Sequence, residues 1–277
     1  MAVPVFEAEA LDYSVQGRFP ALRGVDLVVR ENEKVALLGA NGSGKSSLLH
    51  LLDALVFAQG GEVRFLGRRL DERAMADEAF NAFFRKSVGL LFQDPDVQLF
   101  SQTVREEIAF GPAQAGLPGG EVEERVADLL RAMGLASIGE RAPYELSGGE
   151  KKKVAIASVL ALDPAVLLLD EPTGGLDPRT RAWVIGLIEE LHRKGRTIVT
   201  ATHDLDMARR TADRVIVLGE DHRIAAEGPA ASILADRRLL QRVNLIHEHP
   251  HSHDGYTHSH EHGHYADHEH DHDDEGG

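Results

Sequence analysis

The 277-residue chain has no cysteine, which excludes disulfides and thiolate metal sites and fits a reducing cytoplasm. No apolar run approaches the ~18 residues that a membrane-spanning helix needs. The longest, Val154–Leu162 and Ala165–Leu169, are parted by Asp163-Pro164 and read as core elements. Met1–Glu9 lacks a basic stretch leading into an apolar one, so no signal peptide is expected. There is no large basic cluster, which argues against nucleic acid as the main partner, and no internal repeat. What is present is 43% hydrophobic residues, enough for a sizeable core, and a net charge of −15 that is unevenly spread. From His247 onward there are nine acids and no Lys or Arg, against 36 acids and 30 bases in the rest.

Residues 1 to about 235 alternate apolar runs with helical patterns. Val35–Leu38, Val88–Phe92, Val166–Leu169, Thr197–Ala201 and Arg214–Leu218 are continuous apolar runs of the kind that forms strands covered on both faces. Helices are expected at Ser47–Phe57, Pro178–Arg193 and Asp204–Ala212, and a short strand at Arg223–Ala226. This order predicts an α/β domain with a largely parallel sheet. Glu121–Met133 and Gly148–Leu162 are helical by spacing with no strand between them, which suggests an inserted helical subdomain over about residues 95–162. The ATP-binding domain is placed at 1–240. Residues 241–277, rich in His, Asp, Glu, Gly and Ser, have almost nothing to bury and are expected to be disordered.

Gly39-Ala40-Asn41-Gly42-Ser43-Gly44-Lys45-Ser46, followed by Ser47, matches a phosphate-binding loop between a strand and a helix. Its glycines let backbone amides cradle phosphates at a helix N-terminus. Lys45 is expected to neutralise the β- and γ-phosphates and Ser46 to ligate Mg²⁺. Val166–Leu169 ends in Asp170-Glu171, adjacent carboxylates that are costly at a strand end unless a cation or substrate uses them. Asp170 is the Mg²⁺ candidate. Glu171 is the candidate general base that activates the attacking water. Ser147-Gly148-Gly149-Glu150 reads as a capping box that opens a helix. Two glycines there gain nothing structurally unless something approaches the backbone closely, and a phosphate at a helix N-terminus does so.

With Leu146–Glu150 twenty residues ahead of Asp170-Glu171, the chain resembles the ATP-binding-cassette (ABC) transporter ATPases over about residues 5–230. The resemblance implies a P-loop NTPase cassette: a mainly parallel sheet core, an N-terminal antiparallel β portion and the inserted helical subdomain. It also implies roles for single residues. Gln93 is implied to contact Mg²⁺ and couple to the membrane partner, Asp177 to cross a dimer interface, and His203 to touch the γ-phosphate. Ser147, Gly148 and Gly149 are implied to face ATP held by a second copy, giving an ATP-sandwich homodimer with catalytic residues Glu171, His203 and Gln93. Glu150 stands where Gln is commonest; because it keeps the capping box, little loss is expected. The family places an aromatic ring on adenine where this chain has Val15. Tyr13, two residues earlier on the same strand face, is the named substitute, with Phe19 the alternative.

Leu91–Ser101 and Thr103–Pro112 are similar to the ATPases of energy-coupling-factor importers, in which Gln98-Leu99-Phe100 would grip a transmembrane coupling subunit beside a substrate-specific membrane subunit. A peripheral position on the cytoplasmic face of the cell membrane follows. Eleven of the fifteen histidines lie in the tail: His247, His249, His251, His253, His258, His260, His262, His264, His268, His270 and His272. Imidazoles on a floppy chain chelate Ni²⁺, Co²⁺, Cu²⁺ or Zn²⁺ without a preformed pocket. The expectation is therefore import of a divalent transition metal, nickel or cobalt favoured over zinc or a vitamin. A soluble ABC ATPase acting outside transport is the rival class.

Overall fold

A computed structural model describes residues 3–253 and 256–263, with only the backbone path beyond residue 246. The chain begins with a long antiparallel hairpin, β1 (Pro4–Val15) and β2 (Phe19–Arg30). It continues through β3 (Lys34–Leu38) and helix α1 (Lys45–Leu52) to a second hairpin, β4 (Gly60–Phe65) and β5 (Arg68–Arg69). Two helices beyond those expected from the sequence, α2 (Glu72–Met75) and α3 (Glu78–Ser87), lead into β6 (Val88–Leu91). Residues 95–160 then hold helices alone: α4 (Pro95–Gln98), α5 (Val104–Gln114), α6 (Gly119–Ala132) and α7 (Gly148–Leu160), with two short 3₁₀ turns before α7. β7 (Val166–Asp170), α8 (Pro178–Arg193), β8 (Thr197–Thr202), α9 (Leu205–Thr211), β9 (Arg214–Leu218) and β10 (Ile224–Pro229) return the chain to the sheet. Helices α10 (Ala230–Ala235) and α11 (Arg237–Arg242) follow, then strands β11 (Ile246–His253) and β12 (Tyr256–Gly263).

The central sheet has the order β10-β9-β3-β8-β7-β6 and is parallel except for β10. Its strands read as unbroken apolar runs because both faces are covered, and the two-residue period sorts them. Val35, Leu37, Leu168 and Ile216 face α1 and the N-terminal antiparallel sheet, whose order is β2-β1-β4-β5. Leu167, Leu169 and Ile198 face α7 and α8, while Ala36, Leu38, Val215 and Val217 face α9 to α11. The helical segment has a core of its own, in which Val104 and Ile108 of α5, Val126 and Leu130 of α6, and Val154 of α7 meet. Leu99, Leu160, Trp183 and Leu187 touch both this cluster and the one on the sheet face, so they form the seam between the two bodies.

Three expectations need correction. Helix α1 stops at Leu52 rather than Phe57, because Ala54 takes a left-handed conformation (φ 52°) and Leu55 N–H returns to His50 O. The folded body expected over 1–240 reaches further: Val243 and Leu245 are buried against the same cluster as Leu239 and Leu240. Where composition predicts disorder, the backbone of β11 and β12 forms an antiparallel hairpin hydrogen-bonded to neither other sheet. A two-stranded ribbon of this kind is marginally stable in water unless something joins its strands. His264, His268, His270 and His272 lie outside the described residues. No helix among the described residues is long and apolar enough to cross a membrane.

Candidate nucleotide site

Strand β3 delivers the chain into the phosphate-binding loop, and the loop's glycines have distinct steric reasons. Gly44, at φ 108°, leads directly into α1, and a Cβ there would lie 2.1 Å from Ala21 O. A Cβ on Gly39 would lie 2.4 Å from Ser43 Oγ and 2.6 Å from Leu218 O. The loop wraps its own lysine: Lys45 Nζ donates to Gly39 O at 2.8 Å and Ala40 O at 3.1 Å. Burial pushes the ammonium below its ordinary pKa, against the pull of Glu171 and Asp170. A buried cation that bonds only carbonyls is arranged to meet an anion.

Asp170 closes β7 on the same cleft. Its Oδ1 is buried without a hydrogen-bond partner, and burial, then the charge of Glu171, pushes its carboxyl up while a bond to Ser46 pulls it down. Glu171 sits in the left-handed region (φ 40°), where a non-glycine residue carries local strain of the kind that gathers at working sites. Its N–H donates to Ala201 O. Three donors from the end of β8 hold its carboxylate: Thr202 Oγ1 at 3.0 Å, His203 N at 3.0 Å and His203 Nδ1 at 2.6 Å. Facing a carboxylate, Nδ1 carries the proton, which fixes the ring's tautomer. The structure thus brings Glu171 and His203 into direct contact.

Asn41, Gly42, Gly44, Lys45, Ser46, Ser47, Gln93, Asp170 and Glu171 line one cleft. Its far wall is the β1–β2 tip, where Val15 pairs with Phe19. Tyr13 does not line it; the ring packs against the core cluster instead. The same-face argument for Tyr13 fails because β1 slips register on both sides of that residue, between Leu11 and Tyr13 and again between Tyr13 and Ser14. Phe19, 64% exposed, is the ring available to a base.

The signature is built elsewhere. Ser147 caps α7 in a complete capping box, with Glu150 N donating to Ser147 Oγ and Glu150 Oε2 accepting from Ser147 N at 2.9 Å. Ser147 and Gly148 are exposed, and none of Ser147, Gly148 and Gly149 lines the cleft. A Cβ on Gly149 would lie 3.2 Å from Thr180 Oγ1 and 3.7 Å from Asp177 Oδ2. Asp177 caps α8 through Arg179 N, Thr180 N and Thr180 Oγ1, so the start of α8 packs beside the start of α7.

Sequence reasoning missed the tie between the segment after β6 and α7. Lys152, almost fully buried, donates from Nζ to Gln93 O at 2.6 Å and Phe92 O at 3.3 Å. Burial lowers its pKa to about 8. Gln98 accepts from Phe92 N at 3.2 Å and donates to Ala155 O at 3.0 Å and Ser158 Oγ at 3.2 Å, while Lys151 pairs with Asp96 at 2.6 Å. Gln98 and Leu99 therefore face inward, and only Phe100 of that trio is exposed (66%). It stacks edge-on with Phe110 at 4.8 Å, with Val97 exposed nearby. Nothing in the run Lys151–Lys153 distinguishes the buried member from its neighbours.

A phosphate loop wrapped round a buried lysine, beside a strand-end Asp-Glu pair held by a histidine, on a sheet with a helical insertion, defines an ATP-hydrolysing cassette. The ABC transporter family model matches residues 22–174. The nickel import ATP-binding protein NikO of Rhodobacter capsulatus is 47% identical over 88% of this chain and 96% of its own length. The energy-coupling factor transporter ATP-binding protein EcfA of Methanothermobacter thermautotrophicus is 45% identical over 87% of this chain and 76% of its own. A dimeric structure of a bacterial ABC transporter cassette superposes with a TM-score of 0.73 at 28% identity, covering 81% of this chain and 98% of that one. The chain belongs to the ABC transporter family, as an ATP-binding subunit.

Proposed function

We propose that this chain hydrolyses ATP to power import of a divalent transition metal ion, nickel or cobalt, through separate membrane subunits of the energy-coupling-factor type. The observation that carries the choice of cargo is the histidine tail. Its register sets His247 opposite His262, His249 opposite His260 and His251 opposite His258, so imidazole-bearing positions repeat along one face of the ribbon. The relative named for nickel import supports the same reading.

The hydrolytic chemistry follows from the cleft. The unpartnered buried Oδ1 of Asp170, with Ser46 and Gln93 lining the same cleft, fits a hard divalent cation. These three residues would hold Mg²⁺, which when bound supplies charge neutralisation for the phosphates. Lys45 and the loop amides orient the β- and γ-phosphates. Water attacks the γ-phosphorus as its bond to the bridging oxygen breaks, and Glu171 takes the water's proton. His203, fixed through Nδ1 by Glu171, is set to read the γ-phosphate, and Phe19 carries the adenine. Two copies close on two ATP molecules, Ser147–Gly149 of each completing the cleft of the other. Gln93, tied to α7 by Lys152, passes that closure to the helical body. There Val97, Phe100 and Phe110 present the apolar surface for a membrane subunit on the cytoplasmic face. Uptake measured ion by ion, in cells with and without the chain, tests the proposal. Nickel or cobalt uptake lost without the chain supports it; unchanged uptake of both, with loss for zinc or a vitamin, overturns the cargo.

A further inference from the structure

The acidic fifth residue of the signature does more than close a capping box. Glu150 Oε2 accepts the Ser147 backbone N–H at 2.9 Å and lies 2.7 Å from Ser147 Oγ. A carboxylate can only accept, so the proton in the second contact is the serine's, and it points at Glu150. The Ser147 hydroxyl, then the Ser147 N–H, hold the Glu150 carboxyl below its ordinary pKa, so it is ionised at neutral pH. A phosphate oxygen is also acceptor-only, and two acceptors compete for one proton.

We infer that Glu150 restrains closure of the composite ATP site, by holding the Ser147 hydroxyl proton and by placing a negative charge where a partner copy's γ-phosphate must approach. Gln at this position would keep the bond from Ser147 N–H through its carbonyl. The same carbonyl, standing where Oε2 makes both contacts, would accept the hydroxyl too, but through a neutral bond that yields the proton to a phosphate more readily than the charge-assisted one. Gln would also remove a charge that offsets the positive end of α7. Glu150 is thus a positioning residue that sets how much ATP the dimer needs before it closes. The inference rests on the sandwich reading of Ser147 given above.

The test uses Glu171→Gln protein, which retains ATP, in sedimentation velocity over an ATP titration. Adding Glu150→Gln is expected to lower the half-saturating ATP concentration for dimer formation by about 3- to 10-fold. In otherwise native protein it is expected to lower KM for ATP by a similar factor with less change in kcat. A role confined to capping predicts no such split. In a Ser147→Ala background the gain shrinks, because no hydroxyl remains to be released. A dimer whose ATP midpoint is unchanged or raised by Glu150→Gln overturns the restraint alone. No ATP-dependent dimer in the Glu171→Gln protein overturns the sandwich reading and the restraint with it.

Discussion

The chain has two glycine-rich starts of helices, and they differ in how complete each is. The one entering α1 has no side-chain cap at Gly44, needs a left-handed backbone there, and keeps its lysine buried under the loop's own carbonyls. The one entering α7 is capped reciprocally by Ser147 and Glu150 and exposes its first residues outside the cleft. The first gives up conformational freedom and a neutral interior to hold a charge ready for phosphate. The second is a satisfied helix end that makes sense as a surface for another molecule. Both present backbone amides and a positive helix end, but of the two only the first lines the cleft that holds Asp170 and Glu171.

That contrast can be broken from either side. The largest effect is expected for Glu171→Gln, which removes the proposed base: ATPase turnover is expected to fall by about 10²–10⁴ with ATP binding retained, seen by comparing phosphate release with equilibrium binding. Lys45→Ala attacks the preassembled half. ATP affinity measured by calorimetry is expected to fall by about 100-fold, because the substitution removes the buried ammonium proposed to form a charge-assisted hydrogen bond with the phosphates. Ser147→Arg attacks the other half. It is expected to leave ATP affinity of the monomer within about twofold while turnover drops at least about 100-fold, a separation that a single-subunit site cannot produce. Phe19→Ala is expected to weaken ATP by about 5- to 10-fold, since the adenine would have no ring to stack on. Tyr13→Leu is expected to leave affinity unchanged and lower the melting temperature, since that ring belongs to the core.

The strands of the central sheet and the phosphate loop were legible because both faces of the sheet are covered and because the glycine spacing has steric causes. Glu171 and His203 each stand out in the sequence as candidates, but their 2.6 Å contact does not, since 32 residues separate them and the parallel pairing of β7 and β8 brings them together. Tyr13 misled because bulges in β1 break the alternation that strand reasoning assumes. Lys152 was invisible for a related reason: in three consecutive lysines, helix phase and the position of the segment after β6 decide which one is buried. Helix α2 was missed because it is four residues long and buries none of them, whereas α3 was missed although its Asp77 cap and the buried Phe80 and Phe84, four residues apart, are helix signals.

The central claim is that one chain holds half of each of two ATP sites. Sedimentation of Glu171→Gln protein with and without ATP tests it most directly. The account predicts a monomer without nucleotide, a dimer at saturating ATP, and a return to monomer when Ser147→Arg is added. A protein that stays monomeric at saturating ATP, or a dimer that Ser147→Arg leaves intact, would contradict it.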